Sequence, residues 1–204
     1  SVARTSAANA APAAARPATH RALPRLAWRR EQLVRAAWGS GPGELGHLRG
    51  GEASPEGPMS FAVGDDGRVI VLDQVNGRVQ LFGDGAPVVV PLPRDTFEDL
   101  APVGDGLVLL DRLTTGTLLS LGLDGATRDE VPLRGHGVAD PGEVTALHTQ
   151  ADGIYVEVGH RDLVCLLDPD GRPVEARTIL PGRPLADGSG RFLQAARVGP
   201  SVAE

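Results

Sequence analysis

The chain is 204 residues long, 41% apolar and 3% aromatic, with a net charge of −6. This length leaves room for one domain with an arm, and the apolar share can bury a core, so a chain disordered throughout is excluded. No window approaches the roughly 18 apolar residues that a membrane-spanning helix needs, and every basic residue is Arg, which excludes integral membrane helices and lysine chemistry alike.

Residues 1–24 are dominated by Ala, Pro, Arg, Ser and Thr without periodicity, and are expected to form a disordered arm with no apolar face to bury. Such composition is that of linkers following bacterial export signals, and the chain starts at Ser1, so an extracytoplasmic location (periplasmic or cell surface) is expected. Charge divides sharply: residues 1–38 carry seven Arg and Glu31, hence +6, while the remainder carries 13 Arg against 25 acids, hence −12. The arm's Arg4, Arg16, Arg21, Arg25, Arg29 and Arg30 suit an acidic surface, whereas the acidic body disfavours general nucleic-acid binding. Residues 25–38 are expected to form a closing strand or a short helix. Residues 32–38 (QLVRAAW) directly precede a glycine-rich lead, which favours the strand; Leu26, Leu33, Ala37 and Trp38 near one face are the case for the helix.

From residue 39 to the end, one order of events is repeated. An apolar strand (SFAV, DLAPV, VTALHT) is followed by a Gly-bearing turn (DDG, GDG, ADG) and a dense apolar strand (VIVL, LVLL, IYVEV). An acid then falls at Asp73, Asp111 and Glu157, followed by a polar turn and a third strand (RVQLF, TLLSL, LVCLL). Asp84-Gly85, Asp124-Gly125 and Asp170-Gly171, spaced 40 and 46 residues apart, close each unit onto a fourth strand over 88–92, 130–133 and 174–180. Four short strands at a period of about 40–45 residues make a propeller blade. Asp-Gly supplies the left-handed backbone that tight hairpins need, and the unbroken apolar second strands fit the middle of a blade covered on both faces. The predicted fold is therefore all-β, a partial β-propeller over 39–204 with about three blades and a begun fourth. Rings need about four to eight blades, so further chain or a second copy is expected to complete it. The strand-like run from Arg191, and a further one broken off at Glu204, favour further chain.

The first unit resembles the NHL repeat. The run WGSGPGELG from Trp38, then Pro58 and FAVGDDGRVIVLDQVNGRVQLF from Phe61, is similar to that family's glycine-rich lead, strand, Gly turn and Asp-x-x-Asn-x-Arg-Val, with Asp73, Asn76, Arg78 and Val79 as the blade motif. The second unit has Asp111, Thr114, Gly116 and Thr117 at those positions, the third Glu157, His160, Asp162 and Leu163, so the signature covers about 45 residues and is interrupted by an insertion over 47–56. The resemblance implies a six-bladed ring. From the residues themselves, Asp73 is expected to accept backbone N–H groups of its following turn, with Asn76 taking the awkward backbone angles and Arg78 pairing with the carboxylate.

Little else points to chemistry. His20, His47, His136, His148 and His160 form no local metal-ligand spacing, although ligands in a propeller converge from separate blades. The lone Cys165 sits between Val164 and Leu166 as a small core residue and cannot form an intramolecular disulfide. No Gly-x-Ser-x-Gly elbow, EF-hand order of acids or dinucleotide fingerprint is present. No catalytic, cofactor-binding or metal residue is therefore assigned, and no cofactor is expected. The function expected is a non-catalytic protein-interaction or scaffold module of an extracytoplasmic bacterial assembly, with a protein partner or assembly neighbours. The alternative, which the resemblance implies, is a metal-dependent lyase or lactonase-like propeller enzyme with a central-channel site.

Overall fold

Runs of Val, Ile and Leu punctuated by glycine turns favour extended backbone over helix, and in a computed structural model of the chain they form strands throughout. The structure describes residues 31–51, 54–135, 137–175, 178–185 and 191–193. The chain divides into two units, Ser1–Gln32 and Leu33–Glu204, and every strand among the described residues belongs to the second. The predicted arm and its six arginines lie outside the described residues.

Three four-stranded antiparallel sheets follow one another in chain order. The first holds β1 (Ser60–Val63), β2 (Val69–Asp73), β3 (Arg78–Phe82) and β4 (Val88–Pro91). The second holds β5 (Asp99–Val103), β6 (Gly106–Asp111), β7 (Thr117–Gly122) and β8 (Thr127–Pro132). The third holds β9 (Val144–Gln150), β10 (Gly153–Val158), β11 (Asp162–Leu167) and β12 (Ile179–Leu180). A two-stranded hairpin, β13 (Arg183–Pro184) with β14 (Phe192–Leu193), begins a fourth unit. Each sheet pairs its strands in sequence order, and β1, β5 and β9 lie side by side, the arrangement of propeller blades about an axis. The chain is thus an all-β protein of propeller type, with three blades and a begun fourth.

The expected turns are in place, with Gly85, Gly125 and Gly171 at φ of 94°, 83° and 82°. Two expectations are corrected. Of the segment 25–38, residues 25–30 lie outside the described residues and 31–37 form neither strand nor helix; Trp38 makes a lone parallel bridge to Leu45, and one partner residue supports no ladder. The fourth strand expected over 174–180 is a ladder only at Ile179–Leu180; nearer the turn the backbone meets β11 through a lone bridge of Pro173 to Leu167 and a bond from Val174 N to Leu166 O at 3.1 Å.

Packing orients the blades. Ile70, Leu72, Val79, Leu81 and Val90 on the front face of the first blade meet Leu100, Leu107, Leu109, Leu119 and Leu121 on the rear of the second. The front of the second, with Val108, Leu110, Leu118 and Val131, meets Val144, Ile154, Val156, Val164 and Leu166 on the rear of the third. At about 25 cal/mol per Å² of apolar area, these two interfaces supply most of the hydrophobic stabilisation. On the third blade's front, Tyr155, Leu163 and Cys165 pack with Val174 and Leu180. The Asp99 carboxylate fastens the innermost strands, accepting from Ser60 Oγ at 2.5 Å and Leu147 N at 2.8 Å.

The outermost strand of the first blade carries prolines in phase with its ladder. Leu92 N donates to Gly77 O at 2.9 Å and Val90 lies opposite Val79, so the amides of 88, 90 and 92 turn toward β3. Positions 87, 89, 91 and 93 turn outward, and all but Val89 are proline.

Candidate functional site

The first blade's motif residues converge on one buried carboxylate. Asp73, fully buried at the end of β2, accepts from Gly46 N at 2.7 Å, Arg78 Nε at 2.8 Å and Asn76 Nδ2 at 2.9 Å. Arg78 donates onward to the carbonyls of Ser40, Gly41 and Glu44, and Asn76 to that of Gly39. Gln80, a polar residue inside an apolar strand, accepts from Gly43 N at 2.8 Å and donates to Glu44 O at 2.6 Å. The motif therefore clamps the glycine-rich lead onto the rear of the blade. The expectation that Asp73 serves its following turn is corrected, since Gln74–Asn76 is a 3-10 turn that receives no cap from the Asp73 side chain. Gly77, at φ 62°, takes the left-handed angles assigned to Asn76. Val79 makes no polar contact by nature and is buried in the first interface.

Close approach makes Gly46 part of this clamp. A Cβ there would lie 2.6 Å from the Cβ of Val75, a branched residue that cannot swing away. Gly46→Ala is expected to cost about 1–3 kcal/mol by overpacking, read as a fall in urea midpoint. Gly51→Ala, with nothing within 4 Å, should leave the midpoint unchanged.

The second blade solves the same problem with different partners. Asp111, also fully buried, accepts from Thr114 N at 3.0 Å and Thr115 N at 3.1 Å in its following turn, and from Arg94 Nε and Thr96 Oγ1 in the preceding connection. Burial alone pushes this carboxyl up, but the Thr96 hydroxyl and the two amides outweigh it and hold the group below its ordinary range. Arg94 also reaches Glu130 at 2.7 Å and lies 4.6 Å over the Phe97 ring.

Glu157 does not occupy the third equivalent place. Asp73 lies opposite Arg78 and Asp111 opposite Thr117, the first residues of their third strands, whereas the residue opposite Asp162 is Val158. One residue of offset reverses the face, so Val158 packs into the second interface and Glu157 turns to the front of the blade. There Arg183 Nε reaches Glu157 Oε1 at 2.7 Å and Thr145 Oγ1 donates to Oε2 at 2.7 Å. The Arg183 guanidinium beside it lowers this carboxyl to about 2 against the cost of burial.

The histidines are dispersed. His47 stacks on Trp38 with ring centroids 4.7 Å apart, and His160, exposed at φ 56°, places Nδ1 3.5 Å from Glu157 Oε2. His148 keeps Nε2 buried without a hydrogen-bond partner, and burial, with Arg183 nearby, lowers its pKa. His20 and His136 lie outside the described residues. Among the described residues, no group of three His, Cys, Asp or Glu is arranged to hold a metal ion. Cys165 is buried, with Sγ 3.5 Å from Leu167 O.

The least satisfied surface is apolar. Met59, Phe61 and Val63 stand on one face at β1 and are 53%, 71% and 51% exposed. By register, Phe61 faces Val71 across the ladder as Leu100 faces Leu109 and Leu147 faces Val156. Leu100 is covered by the first blade and Leu147 packs against the second, but the lead reaches only the outer part of the first blade's rear face. The sequence reading missed this row, together with Arg94, Arg183, Gln80 and Asp99. Gln80 had a signal, as a polar residue in a dense apolar strand.

Fold and surface together define a propeller-type repeat protein whose first blade carries an exposed apolar row on its rear face. No protein-family profile and no curated protein matches the chain. Among solved structures, it is similar to the crystal structure of BamB from Moraxella catarrhalis, at 19% identity and a TM-score of 0.41 over 68% of this chain and 43% of that one. The chain thus spans less than half the length of that structure. No helix among the described residues is long and apolar enough to cross a membrane.

Proposed function

We propose that the chain is a non-catalytic protein-interaction module of an extracytoplasmic bacterial assembly, built on an NHL-like first blade. The observation that carries this reading is the row Met59, Phe61 and Val63, three large apolar side chains left in water, with Phe61 bare where the second blade buries Leu100 and the third half-buries Leu147. Clustered exposed apolar side chains mark contact surfaces, and the aromatic Phe61 is suited to anchor one. Support for the location is the Ala/Pro/Arg-rich sequence of residues 1–24, and support for the NHL likeness is the clamp of Asp73, Asn76 and Arg78 on the glycine-rich lead.

The test is a photo-crosslinking amino acid placed at Phe61 in cells that produce the protein. A discrete adduct with a polypeptide, formed outside the cytoplasm and absent when the probe is moved to Leu113, is the expected result. Leu113 is 68% exposed in the β6–β7 turn and serves as the control. Equal labelling from both positions, or none from Phe61, overturns the reading.

A further inference from the structure

In an acidic body, arginines readily find carboxylates. Residues 39–204 carry 13 Arg against 25 acids, and seven of the described arginines hold a carboxylate at 3.0 Å or closer. Arg112 and Arg134 hold none among the described residues, yet they come together. Arg112 stands in the β6–β7 turn and Arg134 in the connection from β8 to β9, and both line one hollow of about 340 Å³ with Leu113, Thr114, Asp140 and Pro141. Each guanidinium is fixed from one side by a backbone carbonyl: Arg112 Nη1 donates to Val144 O at 2.6 Å and Arg134 Nη1 to Ala139 O at 2.8 Å. A guanidinium has five N–H donors, so most of each fork is left without a partner. The neighbouring acids are engaged elsewhere. Glu98 accepts from the Arg112 backbone amide at 3.0 Å, and Asp140 from Gly142 N at 3.0 Å.

We infer that this hollow binds the phosphate group of a small molecule, held between the Arg112 and Arg134 forks. Thr114, whose hydroxyl has no partner among the described residues, supplies a further donor. The donors are all side chains, since the amides of Thr114 and Thr115 already serve Asp111. Two planar forks arriving from different elements suit a tetrahedral anion, whose several oxygens can serve both, whereas a carboxylate has two oxygens and satisfies one fork. Asp140 shares the lining, which disfavours a second anionic group on the ligand. The volume lies at the small end of ligand pockets and fits a phosphate with a short organic tail. Because the body is acidic overall, attraction here comes from these local donors and not from the field of the whole protein.

Calorimetric titration of the full chain with inorganic phosphate and, separately, glycerol phosphate at constant ionic strength tests this. Saturable binding of at least one, with a Kd of about 1 mM or tighter, is expected, and acetate should bind at least tenfold more weakly. The tighter of the two phosphates tells whether the ligand is the free ion or an ester. Arg134→Gln, at an exposed position, should weaken phosphate binding at least tenfold, as should Arg112→Lys, which keeps the charge and loses the fork. Arg161→Gln removes an exposed arginine that pairs with Asp162 outside the hollow, and should change nothing. Thermal transitions in phosphate-free buffer check that the variants fold, and added phosphate should raise the midpoint of the wild type but not of Arg134→Gln. If Arg112→Lys is itself destabilised, Arg134→Gln carries the test alone. No saturable binding of either phosphate, acetate binding as tight as phosphate, or an equal loss in Arg161→Gln overturns the inference. Attachment to phosphatidic acid vesicles without binding of either soluble phosphate would overturn it too.

Discussion

Replacing Asp73 by alanine is expected to cost about 3–5 kcal/mol, the penalty of leaving a buried charge without its partner. Arg78 would remain 8% exposed with no carboxylate, and the Gly46 amide would lose its acceptor. For a domain of this size, such a loss lowers the thermal midpoint by roughly 10 °C. The clamp also predicts a local signature, because Trp38 stands at the start of the lead that Arg78 and Gln80 hold. Its stacking on His47 should loosen, and the tryptophan emission should shift in Asp73→Ala before global unfolding begins. Pairing Asp73→Leu with Arg78→Met removes both charges and should cost less than the sum of the single changes. A single Asp73→Ala cost under 1 kcal/mol would show that the clamp is ornamental.

Acid should weaken the fold through Glu157. Its pKa is about 2 in the folded chain against 4.5 for the free group, so the folded state favours the ionised form. The stability this contributes is present above pH 4.5 and is lost as pH falls toward 2. Its size is roughly 2–3 kcal/mol, toward the lower end because solvent screens the half-exposed Arg183. Asp111 and Glu130 are also held low and act in the same direction. The measurement is urea unfolding from pH 7 to pH 2.5. Glu157→Gln should be less stable than the wild type at pH 7 and converge on it at the acid end, whereas a constant gap across the range would contradict the linkage.

The architecture was legible in sequence because blades are local: each hairpin closes within a few residues, and Asp-Gly turns mark the period. What could not be read was which face a residue takes when one strand slips its count. Glu157 looks like Asp73 and Asp111 in order, yet those acids are the last residues of their strands and Glu157 stands one before the last, Val158, which turns it to the opposite side. Partners were equally hidden where they come from afar, as Arg94 and Arg183 do, 17 and 26 residues from their acids. Conversely, Arg78 lies five residues from Asp73, across one short turn, and that pairing was foreseeable. The bare row on β1 was illegible for another reason. SFAV reads like any inner strand, and only the packing shows that nothing described covers it.

The outward prolines of the first blade's outermost strand bear on how this protein behaves when crowded. A free strand edge normally offers a comb of amides on which a foreign chain can crystallise as an additional strand, the seed of fibrillar aggregates. Here Pro87, Pro91 and Pro93 remove all but the Val89 amide from that comb, although Val88 and Val89 are exposed and β-prone. Growth by backbone zippering at the rim is thereby suppressed, while stacking through side chains on the blade face is left open.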